Sequence, residues 1–261
     1  MDLGLRGRSA LVTGASMGIG RAIAVTLAQE GVNLHLAARS AEALEELAAG
    51  LQRDHGVAVT AHALDLSQAE SVDRLAAAVP LPDILVNNAG AIPSGRLDTV
   101  DRATWRAAWD LKVYGYIDLS RAILPRMLER GSGVVINITG VAGERPDVNY
   151  VAGSAANAGL MAFSRALGGR SLDQGCRVLA VSPGAIATER LVKMFRTQAE
   201  TNLGDPERWR EIEKNWGLPG GRAGSPEEVA DLVAFLASDR AAYVSGTVIT
   251  IDGGIAARGI M

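Results

Sequence analysis

The sequence predicts an α/β fold: one domain over residues 1–261, built on a doubly wound parallel sheet. Three observations carry this. Short apolar runs of strand length alternate with helix-length segments along the whole chain. The runs are apolar at consecutive positions, as strands covered on both faces require. A glycine-rich turn, Thr13-Gly14-Ala15-Ser16-Met17-Gly18-Ile19-Gly20, joins the first run to the first helix.

Taken in order, Ala10-Leu11-Val12 is the first strand, and a helix runs from Arg21 to Glu30 until Gly31 ends it. Asn33 to Ala37 is the second strand, followed at once by Arg39-Ser40 and an Ala/Glu/Leu-rich helix from Ala41 to about Arg53. Val57 to Leu64 is a third strand that ends at Asp65. Ser67 with Glu70 three residues on predicts a capping box for the next helix, which Pro80 and Pro82 break. Ile84-Leu85-Val86 runs into Asn87-Asn88-Ala89-Gly90, and helices then extend from Asp101 to about Leu111 and on to Leu128. Gly133 to Ile138, Arg177 to Val181 and Val248 to Ile251 are the remaining strands. This order is that of a Rossmann-type sheet. The stretch 191–220 is charged, carries Trp209 and Trp216, and is too long for a simple connection, so a substrate lid is expected there.

Composition narrows the function. At 48% hydrophobic residues the chain folds, and a net charge of −3 without a Lys/Arg tract argues against nucleic-acid or anionic-membrane partners. The single Cys176 suits a reducing compartment, and His35, His55 and His62 lie at no metal-ligand spacing, so no metal is expected. The N-terminus lacks a signal-peptide core and no apolar run is long enough to span a bilayer; a soluble cytoplasmic protein is the expectation.

The glycine turn has the spacing Gly-x-x-x-Gly-x-Gly, which is neither the usual dinucleotide fingerprint nor a P-loop. Backbone amides freed by glycines at a helix N-terminus can bind a phosphate. The same glycines also serve a tight strand-to-helix turn.

Taken with the rest of the chain, the turn decides. TGASMGIG at Thr13 to Gly20, Asp65 after the third strand, Asn87-Asn88-Ala89-Gly90, Pro183-Gly184 with Thr188, and the stretch from Gly221 to Gly254 together resemble a compact short-chain dehydrogenase/reductase. The resemblance covers nearly the whole chain. It implies a carbonyl–alcohol oxidoreductase with NAD(P)(H) lying across the carboxyl ends of the strands. Thr13, Gly14, Ser16, Met17, Gly18, Ile19 and Gly20 would form the pyrophosphate turn, and Asp65 would accept from the adenine amine. Asn88, Ala89 and Gly90 would flank the adenosine ribose, and Thr188 the nicotinamide amide. Leu66, Pro183, Gly184 and Ile186 complete the expected cofactor contacts. Self-association as a homotetramer and a small-molecule substrate are also implied. At the end of the second strand Ala38 stands where an acidic residue would favour NAD(H). Arg39 and Ser40 follow, and both can contact a 2′-phosphate, so NADP(H) is expected.

The catalytic set departs from the family's Asn, Ser and Tyr-x-x-x-Lys. Lys112 falls where Asn is expected, Gly140 where Ser is expected, with Thr139 before it. Gly153 takes the Tyr position and Asn157 the Lys position; a rival alignment makes Tyr150 the tyrosine, with Ser154 at the lysine position. On a helix, Tyr150 and Asn157 differ by only about 20° around the axis. Tyr150 is therefore expected to lean over Gly153 as proton donor, with Lys112 lowering its pKa, Asn157 facing the same cleft and Thr139 offering a hydroxyl. Arg145 is a further candidate, for a substrate carboxylate. Loss of hydride transfer, leaving a dinucleotide-binding sensor or assembly partner, and a lyase or isomerase on the same fold are the alternatives.

Overall fold

The computed structural model describes residues 1–258. Seven strands form one parallel sheet: β1 (Ser9–Thr13), β2 (Asn33–Ala38), β3 (Val59–Ala63), β4 (Ile84–Asn87), β5 (Gly133–Ile138), β6 (Cys176–Pro183) and β7 (Val248–Ile251). Their spatial order is β3-β2-β1-β4-β5-β6-β7. The order reverses between β1 and β4, and a doubly wound sheet opens a crevice at that point.

Helices α1 (Gly18–Gln29), α2 (Ala41–His55) and α9 (Pro226–Ala237) cover one face. Val12, Leu36, Ile84, Ile136 and Val181 meet them there. On the other face, Leu11, Leu85, Val135 and Val178 pack under α3 (Ala69–Ala78) and α5 (Gly115–Arg130), with α6 (Val151–Ser171) against β6. The central strands are mostly apolar because both faces are covered, and buried Asn87 and Asn137 are satisfied by donating to Asn137 Oδ1 and Ser164 Oγ in turn. The edges depart from that expectation: β7 is half-buried along its length, and β3 carries exposed Thr60 and Ala63.

Several boundaries move for physical reasons. α1 begins at Gly18, three residues before the expected start, because Gly18 takes φ +55° and turns the chain straight into the helix. The Ser67–Glu70 capping box does not form. The Asp65 carboxylate accepts from the Ser67 amide at 3.0 Å, and Gln68 becomes the residue before α3. The long helix after Asp101 is broken into α4 (Arg102–Trp109), a π-helical turn over Asp110–Tyr114, and α5. Residues 191–220 are mostly helical: α7 (Glu189–Leu203) and α8 (Trp209–Asn215) enclose their own small core. Buried Phe195 stacks there on Trp209 and meets Trp216 edge-on. The β2–β3 pairing brings His35 Nδ1 to 3.0 Å from His62 Nε2, yet among the described residues no three metal-ligand side chains converge.

Candidate active site

The crevice is built first from backbone. Gly14 takes φ +66°, and a Cβ there would stand 2.9 Å from the Ala89 Cα. A Cβ on buried Gly20 would collide with the Gly14 carbonyl and the Asn88 amide. Those two glycines therefore let β1, α1 and the β4 loop touch. Asn88 locks the contact, donating through Nδ2 to the carbonyls of Thr13 (3.0 Å) and Gly14 (3.2 Å). Thr13 is part of that lock. Its hydroxyl accepts from the amides of Asn88 (2.9 Å) and Ala89 (3.1 Å) and donates to the Val86 carbonyl. Expected at the pyrophosphate, its buried side chain is a clasp beneath the turn instead.

What the turn leaves open fits an anion. Met17, extended at the N-cap of α1, gives no side-chain cap, so the first-turn amides have no side-chain acceptor. Ser16, Gly18 and Ile19 are part-exposed along the same rim, opposite Thr188, whose methyl would lie 3.2 Å from a Cβ on Gly18. At the end of β2, Arg39 and Ser40 are exposed. The Ser40 oxygen caps α2, accepting from the Ala43 amide, and Arg39 makes no ion pair among the described residues. Asp65 is exposed with Leu66 buried beneath it. On the far side, β6 ends in Pro183-Gly184, and Ile186 is buried, bridging to Gly224.

The residues standing in for the family's catalytic set converge on the ends of β4 and β5. Lys112 projects from the π-helical turn; its stem lies against Gly90, where a Cβ would fall 2.9 Å from Cδ. Its Nζ donates to the Thr139 carbonyl at 3.3 Å and lies 5.9 Å from the Tyr116 ring centre. No carboxylate pairs with it among the described residues, and burial lowers its pKa to about 8. Asn157, 3% exposed, brings its amide against Gly140, where a Cβ would lie 3.1 Å from Nδ2. Its Oδ1 is buried with no hydrogen-bond partner. The Tyr150 ring lies over Gly153: a Cβ at 153 would overlap Cε1 and Cζ.

Two expectations fail on this geometry. The Thr139 hydroxyl donates to the Val181 carbonyl at 3.0 Å inside the sheet, so its proton is not presented to the cleft. Lys112 turns its Nζ to the Thr139 carbonyl and makes no hydrogen bond to the Tyr150 phenol among the described residues. Burial pushes the Tyr150 phenol up, and the cation that partly offsets this is Arg190. Arg190 is the residue the sequence reading missed. It adjoins Thr188, but its reach to Ile92 depends on tertiary packing alone. Arg145 points elsewhere, donating to the Ile255 carbonyl at 2.9 Å.

Comparison with known proteins identifies the family. A family model described as enoyl-(acyl carrier protein) reductase matches residues 14–256. The 3-oxoacyl-(acyl-carrier-protein) reductase of Pseudomonas aeruginosa is 35% identical over 257 residues, 97% of this chain and 99% of its own. The chain belongs to the short-chain dehydrogenase/reductase family. The 2-keto-3-deoxy-L-fuconate dehydrogenase of Xanthomonas campestris is 35% identical over 253 residues, covering 96% of this chain and 80% of its own. Among solved structures, L-sorbose reductase from Gluconobacter frateurii, complexed with NADPH and L-sorbose, superposes with a TM-score of 0.93 at 33% identity, covering 99% and 100% of the two chains. This short-chain dehydrogenase/reductase is thus an NAD(P)-dependent oxidoreductase acting between carbonyl and alcohol. No helix among its described residues is long and apolar enough to cross a membrane.

Proposed function

We propose that this enzyme reduces a small carbonyl compound with NADPH through a rearranged catalytic set in which lysine and asparagine have exchanged elements. The observation that carries it is the unpartnered, buried Asn157 Oδ1 at the ends of the strands. A buried acceptor with no donor is costly, and a ribose hydroxyl would satisfy it. The Lys112 ammonium, held at the Thr139 carbonyl, adds donors beside the same floor of Gly90. Lys112 and Asn157 would thus hold the nicotinamide ribose, and the first-turn amides of α1, from Gly18 on, the pyrophosphate. When bound, the dinucleotide supplies the hydride. Tyr150, over Gly153, holds the proton for the carbonyl oxygen; its raised pKa keeps the phenol protonated through neutral pH. Helices α7 and α8 serve as the wall or lid of the substrate cleft. NADPH oxidation and NADP reduction, assayed against diverse carbonyls and alcohols, test this; tight NADPH binding with no turnover of any of them would overturn it.

Arg39 and Ser40 support preference for the phosphorylated cofactor. A charge-assisted hydrogen bond to phosphate is worth about 1.5–3 kcal/mol, or about ten- to a hundredfold. Arg39→Ala is expected to weaken NADPH at least about tenfold and NADH little, measured by fluorescence titration of both. Equal losses for the two would refute the assignment.

Self-association as a tetramer is proposed on the half-buried edge strand β7 and the neighbouring Tyr243, 92% exposed. Such an edge is stabilised by a covering partner. Sedimentation at micromolar concentration is expected to give a single four-chain species, and a monomer would contradict it. The single buried Cys176 suits action in the cytoplasm.

A further inference from the structure

The mouth of the cleft carries a cation that the reduction itself does not use. Arg190, in the first turn of α7, reaches across to the loop after β4 and donates from Nη2 to the Ile92 carbonyl at 3.1 Å. Ile92 is 2% exposed, and its side chain belongs to the small cluster against which Tyr150 packs. The wall between them is pinned by the pairing of Gly95 with Tyr150, through the Gly95 amide and the Asn149 carbonyl at 2.6 Å. Arg190 and Tyr150 therefore meet the same small cluster, the guanidinium at the Ile92 carbonyl and the phenol ring packed against the cluster's side chains.

What Arg190 lacks is an anion. Among the described residues it forms no ion pair; the arginines that do, such as Arg208 with Glu211 and Arg222 with Glu228, lie elsewhere. Its neighbour Glu189 turns the other way, with Oε2 3.6 Å from the place of a Cβ on Gly18. A guanidinium has five donors, and the Ile92 carbonyl occupies one. The remainder suits a planar, two-oxygen acceptor. The effect of the Arg190 charge on Tyr150 agrees with this closeness.

We infer that Arg190 selects the substrate: the carbonyl compound carries a carboxylate, so that it is an oxo acid on reduction or a hydroxy acid on oxidation, with Arg190 as the residue that binds it. This rests on the reading of Tyr150 as the proton donor, since the two groups must engage one small molecule. It differs from the sequence-based expectation, which assigned such a carboxylate to Arg145. That side chain donates to the Ile255 carbonyl and, among the described residues, makes no hydrogen bond to Tyr150 and lies outside the Ile92 cluster.

The test separates the inference from the reading beneath it. Binding of 2-oxo and 3-oxo acids and of their methyl esters is measured by calorimetry on the NADP-loaded enzyme, and turnover of the same pairs is measured with NADPH. At least one acid is expected to bind about tenfold or more tightly than its ester. In Arg190→Met that ratio is expected to fall to near one, with the loss in KM rather than kcat. Arg190→Lys should keep part of the ratio, because it keeps the charge and loses the fork. A set of phosphate-ester ketones distinguishes the two anionic groups: tighter binding of these than of any acid would overturn carboxylate as the group read. Esters binding as well as acids, or an acid preference that persists in Arg190→Met, would overturn the inference even with turnover intact. Acids that bind through Arg190 and are never reduced would keep Arg190 as a carboxylate site but overturn both the reductase reading and the acid as its substrate.

Discussion

Tyr150→Phe is expected to lower turnover about 10²-fold or more while leaving stability and NADPH affinity close to those of the parent. Removing one oxygen keeps the ring, and the ring does the packing: it lies over Gly153 and against the cluster of Ile92, Ala152 and Ala156. The hydroxyl forms no hydrogen bond among the described residues, so its loss strands no buried partner. The catalytic cost has no such cushion, because general acid catalysis contributes typically 10²–10⁴-fold. The pH dependence has a defined sign as well. Burial raises the phenol's pKa and Arg190 only partly opposes it, so the protonated acid persists through neutral pH. Reduction is then flat with pH across that range as far as Tyr150 is concerned, and oxidation, which needs the phenolate, speeds up as pH rises. Steady-state kinetics in both directions with matched urea midpoints checks this. Undiminished turnover in the phenylalanine variant removes Tyr150 from the chemistry and leaves it a packing residue.

The parts of the site that sequence makes legible are those set by backbone. Gly14 and Gly20 are needed because a Cβ at either would meet the β4 loop, and strand–turn–helix order alone locates such a turn. The overlap of Tyr150 with the space above Gly153 follows from helix geometry and a missing side chain, both readable in one dimension. What fails is where a side chain has two partners to choose between. Ser67 could cap with Glu70, but the Asp65 carboxylate takes its amide first. Thr13 and Thr139 sit at strand ends where a cleft role is plausible, yet each finds a partner in the sheet or the loop leaving it: Val86, Asn88 and Ala89 for Thr13, Val181 for Thr139. Arg190 lies 98 residues from Ile92 in sequence, and no local pattern encodes that pairing. In the lid region the sequence displays a long charged stretch with Trp209 and Trp216 but not which ring meets which. Only the packing of Phe195, stacked on Trp209 and edge-on to Trp216, makes it a small core of its own.

Lys112→Met is expected to make the cofactor-free enzyme more stable and less active. The ammonium lies on the floor of the cleft with one carbonyl partner and no carboxylate, and burial brings its pKa from 10.5 to about 8. The folded protein therefore holds this proton less tightly than the unfolded chain does. Below about pH 8 both states are protonated, and the full cost of the buried charge weighs on the fold. Between about pH 8 and 10.5 the folded state loses its proton first, so the parent gains stability as pH rises through that window. Methionine has no such charge and fills a similar volume along Gly90. Its advantage is expected to be about 2 kcal/mol at pH 7 and to shrink steadily toward pH 10, read from urea midpoints of the two proteins side by side. Titrations elsewhere in the molecule cancel in that difference. Bound dinucleotide is expected to reverse the order, because its ribose hydroxyls and nearby phosphates give the ammonium the partners it lacks, and turnover of the methionine variant falls at least about tenfold. A methionine variant that is less stable at pH 7 without cofactor would show that the bond to the Thr139 carbonyl outweighs the desolvation of Nζ. One that is more stable and fully active would show that Lys112 is a tolerated burden with no part in holding the cofactor.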